Sequence, residues 1–249
     1  MLVRVGLRFL PLLVFLAGWH LICAGNQRRT FLFSTPGRVA QQFWEDLTSG
    51  VLAGHAGITA SEALVGFILA TLAGTIIGLL LASWSRLSDI VAPYLGMLGA
   101  VPVYALAPMT IIWFGIGFWQ KAGIAFLSTV FVATNQAFQG ASHPPDDQML
   151  IFRAFRARPL QVLWKLRFPV ALAWVASGCR LNVGFAFLGA FLGEIISSNV
   201  GLGHYIMKAS SLYDVPRVLS GVLALLMVAF AIDKAVSALF VARARSMVR

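Results

Sequence analysis

Charge is scarce in this sequence. Only 11% of its 249 residues are Asp, Glu, Lys or Arg, against about 25% in soluble domains, which argues against a water-soluble enzyme. Acids are scarcer than bases, nine against nineteen, leaving a formal net charge of +10. The basic residues are scattered along the chain rather than gathered in one stripe, so nucleic acid is not an expected partner. There are two cysteines, Cys23 and Cys179, far apart and each inside an apolar stretch. They read as small core residues and say nothing of redox compartment. The four histidines, His20, His55, His143 and His204, show no metal-ligand spacing and no His–Glu helical motif. Asp146 and Asp147 follow two prolines and read as a helix start rather than a catalytic pair. Gly201-Leu202-Gly203 lacks the strand and helix of a phosphate-binding loop. With no nucleotide-binding motif, any ATP used must be bound by another chain.

What is abundant is apolar sequence: 59% of residues are hydrophobic and mean hydropathy is +0.84. The runs are about 20 residues long, the length that crosses a bilayer as a helix. The expected architecture is all-α: one membrane domain over 1–249 with a core at 58–241 and six spans at 7–25, 58–83, 90–114, 121–141, 170–197 and 218–241. Arg4 and Arg8 precede the first run, but no small-residue cleavage site follows, so it is read as a retained helix. Twelve basic residues fall on the side of the termini and six on the other. That bias puts both termini and the 142–169 loop in the cytoplasm, with 26–57 and 198–217 outside. The stretch from Val39 to Leu52 is amphipathic and is expected at the membrane surface.

Within the spans, Gly66, Ala70, Gly74 and Gly78 recur every four residues, a small-residue face that lets another helix approach closely. Gly189 and Gly193 repeat the spacing in the fifth span. Pro93, Pro102 and Pro108 must bend or break the third. Asn135, Gln136 and Gln139 form a polar patch in the fourth, suited to interhelical hydrogen bonds or to a solute path. Arg180, Asn182 and Glu194 lie in the fifth. A charge there costs roughly 2.5–3.5 kcal/mol, so Arg180 and Glu194 should face protein or a cavity, or snorkel at the span ends. Fourteen residues apart, about 21 Å along a helix, they cannot pair with each other.

The 142–169 loop reads as two short helices. Gln148 to Phe155 forms the first, Arg156-Ala157-Arg158 the turn, and Pro159 the first position of the second. Leu160, Leu163 and Trp164 share one face of that second helix, beside Lys165 and Arg167. Such a face rests on lipid or docks into a partner's groove.

The chain resembles the permease subunits of bacterial ABC importers, in the group handling nitrate, sulfonates, taurine, bicarbonate and pyrimidine precursors. The resemblance runs from Ser34 to the C-terminus. It rests on Ser34-Thr35-Pro36, Glu62 through Gly66-Phe67 and the glycine ladder, Val101-Pro102 with Ala105-Leu106-Ala107-Pro108, and Ile112-Trp113-Phe114-Gly115-Ile116-Gly117. Phe168-Pro169, Gly178-Cys179-Arg180, Glu194 and Gly201-Leu202-Gly203 complete it. It implies a type I ABC importer permease fold in the bacterial inner membrane and a second permease copy, identical or not. It also implies two cytoplasmic ATPases that use the ATP, and a periplasmic solute-binding protein. The translocation path would involve Asn135, Gln136, Gln139, Arg180, Glu194, Gly201 and Gly203. Coupling to the ATPases would fall to Arg156, Arg158, Leu160, Leu163, Trp164 and Pro169, and helix packing to Gly66, Gly74 and Gly78. No cofactor or metal is expected on this chain. The family's loop motif, Glu-Ala-Ala, three residues and Gly, falls on Leu150-Ile151-Phe152 and Arg156, so an arginine stands where a glycine turn is usual. Rival readings are a structural scaffold for other membrane subunits and a membrane-embedded enzyme, the latter disfavoured by the missing acid/base cluster.

Overall fold

A computed structural model describes residues 2–99 and 101–247, without the side chains of 2–9, 12, 85, 86 and 239–247. Among the described residues all regular structure is helical. Contacts group the chain into two compact units, one of residues up to Ile58 with Val200–Met227, the other of Thr59–Asn199 with the chain from Val228.

The first unit holds α1 (Leu2–Cys23), α2 (Gln27–Phe33), α3 (Pro36–Thr48) and the start of α4 (Val51–Ser83). Its remaining helices follow further along the chain. Pro36 opens α3, where a missing N–H costs nothing, and the Thr35 hydroxyl accepts from the Arg38 amide at 3.4 Å. The Cys23 thiol donates to the Ser34 carbonyl at 2.9 Å, so this buried cysteine ties the end of α1 to the entry of α3.

The second unit is built around α7 (Phe118–Ser142), with α5 (Ser85–Leu98), α6 (Ala107–Phe114), α8 (Asp146–Ala154), α9 (Pro159–Val162) and α10 (Phe168–Ser197). The glycine ladder of α4 lies directly on α7. A Cβ at Gly66 would stand 2.5 Å from the Ala125 Cβ, and one at Gly74 2.8 Å from the Thr134 amide nitrogen. A Cβ at Gly78 would stand 2.5 Å from the Thr134 carbonyl oxygen. α10 closes on α7 by the same means: a Cβ at Gly189 would meet the Ala125 Cα at 2.7 Å. Since lipid gives helices no hydrophobic reason to associate, backbone approach and van der Waals contact must hold them together.

Among the described residues, three helices are long and apolar enough to cross a membrane: Val51–Ser83, Pro159–Ser197 and Val215–Ala238, the last within α12 (Val215–Met247). Leu87–Leu98 and Val103–Phe114, angled by 83°, are long and apolar enough only together, as a broken span or a re-entrant loop. The prolines explain that bend: α5 stops before Pro102, a single 3₁₀ turn follows, and Pro108 sits in the first turn of α6. The other two expected spans fall on α1 and α7. At 25 residues α7 is long enough, yet it buries Gln120, Lys121, Thr129 and Thr134. Its polar groups are covered by protein rather than facing lipid.

One boundary differs from the sequence reading. The second loop helix is not separate from the fifth span; residues Pro159–Ser197 form one 39-residue helix. Pro169 has no N–H to give the Lys165 carbonyl, and the helix absorbs this with a π turn over Leu163–Arg167, in which the Phe168 amide reaches Leu163. Leu163 therefore does not lie on a free face. It packs on the cluster of Leu79, Leu95, Phe138, Ala141 and Ala171.

Candidate functional site

In the first unit, Gly201 takes φ 99°, a conformation cheap only for glycine, and its N–H donates to His55 Nδ1 at 2.9 Å. It leads into α11 (Leu202–Ser211), where Gly203 is buried. Next to it is a network that the sequence did not reveal. Asp46 of α3 accepts from Tyr205 at 2.5 Å and from Gln42 at 2.7 Å, and lies 3.6 Å from the Arg217 guanidinium. Arg217 also pairs with Asp214 at 3.4 Å. Burial first, then the hydrogen bond to Asp46, hold the Tyr205 phenol above its ordinary pKa, so it stays a donor throughout the physiological range. The network clamps α3 to α11 and the start of α12, and it fixes the segment bearing Gly201 and Gly203.

In the second unit, Glu194 does not snorkel. It is 1% exposed, and the Thr59 hydroxyl donates to its Oε1 at 2.6 Å. Glu62 of α4, also buried, meets it carboxyl to carboxyl, with Lys121 of α7 as the neighbouring positive charge. Three helices thus meet at one buried polar cluster. A lone intramembrane acid already asks for a named partner, and that demand was the available signal for Glu62.

Gln136 and the fully buried Asn182 exchange amide hydrogen bonds of 3.3 and 3.0 Å, joining α7 to α10. Gly178 makes room for the Gln136 amide. Asn135 and Gln139 are half-buried neighbours on α7. Arg180 is different: its side chain is 66% exposed, although it lies well inside a membrane-length helix. Its Nε lies 3.6 Å from Asp233 and donates to Ser237 at 3.3 Å, both on α12. Asp233 is an acid within the sixth span, and the sequence reading left it unassigned.

The loop between α7 and α10 has the geometry of a glycine turn without the glycine. Arg156 takes φ 49°. The Arg156 amide bonds to the Arg153 carbonyl at 3.0 Å and the Ala157 amide to Phe152 at 2.9 Å, the two bonds of a Schellman cap on α8. Around this turn, Phe155 is 82% exposed and Leu160 65%, and Trp164, at 58%, meets Phe168 in a tilted ring contact with centroids 5.4 Å apart. Arg158 and Pro169 are exposed as well, whereas Leu163 faces the core. Among the described residues no three His, Cys, Asp or Glu side chains gather as a metal site.

Residues 70–246 match the family described as "Binding-protein-dependent transport system inner membrane component". The chain is 31% identical over 224 residues to a probable ABC transporter permease protein of Haemophilus influenzae, covering 88% of this chain and 91% of the relative. It is 31% identical to the riboflavin transport system permease protein RibX of Chloroflexus aurantiacus, over 83% of this chain and 77% of that one. It is 30% identical to a putative aliphatic sulfonates transport permease protein, SsuC, of Bacillus subtilis, over 84% and 76%. Among solved structures, a chain of the MetNI methionine ABC transporter in an inward-facing conformation superposes with TM-score 0.68 at 16% identity, over 79% of this chain and 98% of that one, which speaks for the fold. The chain therefore belongs to the binding-protein-dependent transport system inner membrane components, as a multi-pass permease subunit of an ABC transporter.

Proposed function

We propose that two permease copies, this chain with itself or with a second permease, surround a path for a small solute handed over by a periplasmic binding protein. Two cytoplasmic ATPases bind and hydrolyse the ATP and move the path between outward and inward access through the 142–169 loop. The inner membrane holds the assembly, with both termini cytoplasmic. The observation that carries this reading is the loop: a Schellman-capped helix followed by exposed Leu160 and Trp164, an apolar surface at the mouth of a long helix. On the path side, Arg180 pairs with Asp233, and its exposure suits a solvated path. Asn135, Gln139, Gly201 and Gly203 are the further candidates. Glu194 and Gln136 hold helices together instead, since their polar atoms are taken up by Thr59 and Glu62, and by Asn182. Purified with its ATPase in lipid nanodiscs, the protein should hydrolyse ATP faster when solute-loaded binding protein is added. Absence of any co-purifying ATPase would favour the scaffold reading.

Orientation is tested by single cysteines at Ser49, Gln148 and Ser211, all exposed. Gln148 serves better than Ser142, whose hydroxyl is buried. The native Cys23 and Cys179 are buried and give little background. An impermeant maleimide on intact spheroplasts should label the Ser49 and Ser211 positions and spare Gln148. Labelling of Gln148 alone would invert the topology.

Arg156→Gly removes a side chain from a left-handed position that costs L-residues about 1–2 kcal/mol. Glycine gives part of that back through its freer unfolded chain. The expected result is a complex more stable by about 1 kcal/mol, read as a higher unfolding midpoint, with ATPase association kept or improved. Loss of the ATPase in this variant would mean that the guanidinium itself contacts the partner.

A further inference from the structure

The end of α4, the end of α8 and the start of the Pro159–Ser197 helix border an open cavity of about 420 Å³ that shares Leu160 with the proposed coupling surface. Among the described residues its lining includes Arg153 and Arg167, no acid, and the apolar Trp84, Met149, Leu160 and Val162. The volume lies in the range of small-ligand sites, roughly 300–1,000 Å³. Its depth follows from the helices: two membrane-length segments end here, one at Ser83 and the other beginning at Pro159. The exposed Trp84, immediately past Ser83, is the residue type that marks the headgroup level.

Arg167 has donors to spare. One terminal nitrogen donates to the Ala82 carbonyl, while Nε is buried and has no hydrogen-bond partner. A guanidinium offers five N–H donors in a fixed fork suited to phosphate oxygens. Arg153 brings the second positive charge from the last turn of α8. Basic pockets between membrane helices are the usual receptors of anionic lipid headgroups.

We propose that this cavity binds the headgroup of an anionic phospholipid, its phosphate held between Arg167 and Arg153. The apolar rim of Trp84, Met149, Leu160 and Val162 receives the glycerol end of the acyl chains. A lipid is favoured over free phosphate because apolar walls stand beside the two cations, and free phosphate would leave them uncovered. It is favoured over a protein groove because the charges lie against the ends of two spans. By bridging α8 to the α9–α10 helix, the lipid would set the stiffness of the loop.

The test uses the transporter complex in nanodiscs of phosphatidylcholine alone or with phosphatidylglycerol, reading lipid retention by native mass spectrometry together with the unfolding midpoint. Wild type should retain phosphatidylglycerol over phosphatidylcholine by roughly ten-fold, the size of one charge-assisted hydrogen bond, and gain stability from it. Arg153→Gln, which leaves the Arg167–Ala82 hydrogen bond intact, should lose most of that preference, and Arg153→Gln with Arg167→Gln should lose all of it. Equal phosphatidylglycerol preference in wild type and the double variant overturns the site. So does a stabilisation reproduced by inorganic phosphate in pure phosphatidylcholine. An Arg153→Gln variant that keeps the lipid preference but sheds the ATPase assigns the cavity to the protein partner and also overturns it.

Discussion

Gly78→Leu is expected to leave no folded permease in the membrane, and Gly78→Ala to lower the unfolding midpoint clearly, because no flexible group stands in the way of the added carbon. Its neighbours would be the Thr134 carbonyl oxygen at 2.5 Å, the Ala137 Cβ at 2.8 Å and the Phe138 amide nitrogen at 2.8 Å, all on or next to the backbone of α7. Relief requires α4 and α7 to separate, and that separation also loosens Gly74 and Gly66, one and three turns away on the same face. Overpacking a well-filled interface by one carbon costs typically 1–3 kcal/mol; a Leu adds three more carbons. Gly184→Ala in α10 is the control, since a Cβ there meets nothing within 4 Å. That change should be neutral or stabilise by up to about 1 kcal/mol through helix propensity. Measured as monodisperse yield and unfolding midpoint in detergent, the order should be Gly184→Ala at or above wild type, then Gly78→Ala, with Gly78→Leu absent. A Gly78→Leu protein that elutes and unfolds like wild type would mean that the α4–α7 seam is not as close as described.

The all-helical architecture was legible because it rests on run length and on glycine and proline placement, which act locally. The four-residue glycine spacing located the α4 seam, and Pro102 and Pro108 located the break between α5 and α6. The Arg156 turn was marked by the family resemblance, whose loop motif has glycine there, and the structure gives Arg156 the left-handed conformation that a Schellman cap needs. What escaped were partners. Glu62 lies 132 residues before Glu194, and Asp233 lies 53 after Arg180; only the packing of separate helices brings each pair together. Asp46 with Tyr205 is the same case, linking α3 to α11 across most of the chain. Intramembrane polarity announces that a partner exists but not where it is, because periodicity fixes the face of a helix and not its neighbour. The start of the helix that carries the fifth span differs for another reason. Pro169 looked like a helix boundary, yet a π turn lets the helix pass through it.

That continuity changes what two neighbouring substitutions should do. As residues of a separate loop helix, Leu163 and Trp164 would share a docking face, and charge at either would cost the ATPase alone. In the π turn they point different ways. Leu163 packs with Leu79, Phe138 and Ala171, so Leu163→Asp loses that packing and sets a carboxyl against an apolar cluster that offers no donor, Arg167 standing only on the cavity side. An unpaired polar group in such surroundings costs about 2–7 kcal/mol and a charge more, comparable with the whole stability of many domains. Leu163→Asp should therefore fail to accumulate, and loss of transport in that variant would say nothing about coupling. Trp164 is more than half exposed, and its tilted ring contact with Phe168 is worth about 0.5–1.5 kcal/mol. Trp164→Ala should fold, with a modestly lower midpoint. If Trp164 is the anchor of the ATPase contact, its truncation removes about 2 kcal/mol or more of binding, roughly a thirty-fold weaker complex. Transport should fall with it. Leu160→Ala, which is exposed and lies outside the core cluster, should weaken the ATPase in the same direction by a smaller factor. The decisive reading is the titration of ATPase onto nanodisc-embedded permease at equal folded fraction. Full association in both Trp164→Ala and Leu160→Ala would remove this helix start from the coupling surface and leave exposed Phe155, on the other side of the Arg156 turn, as the residue to test.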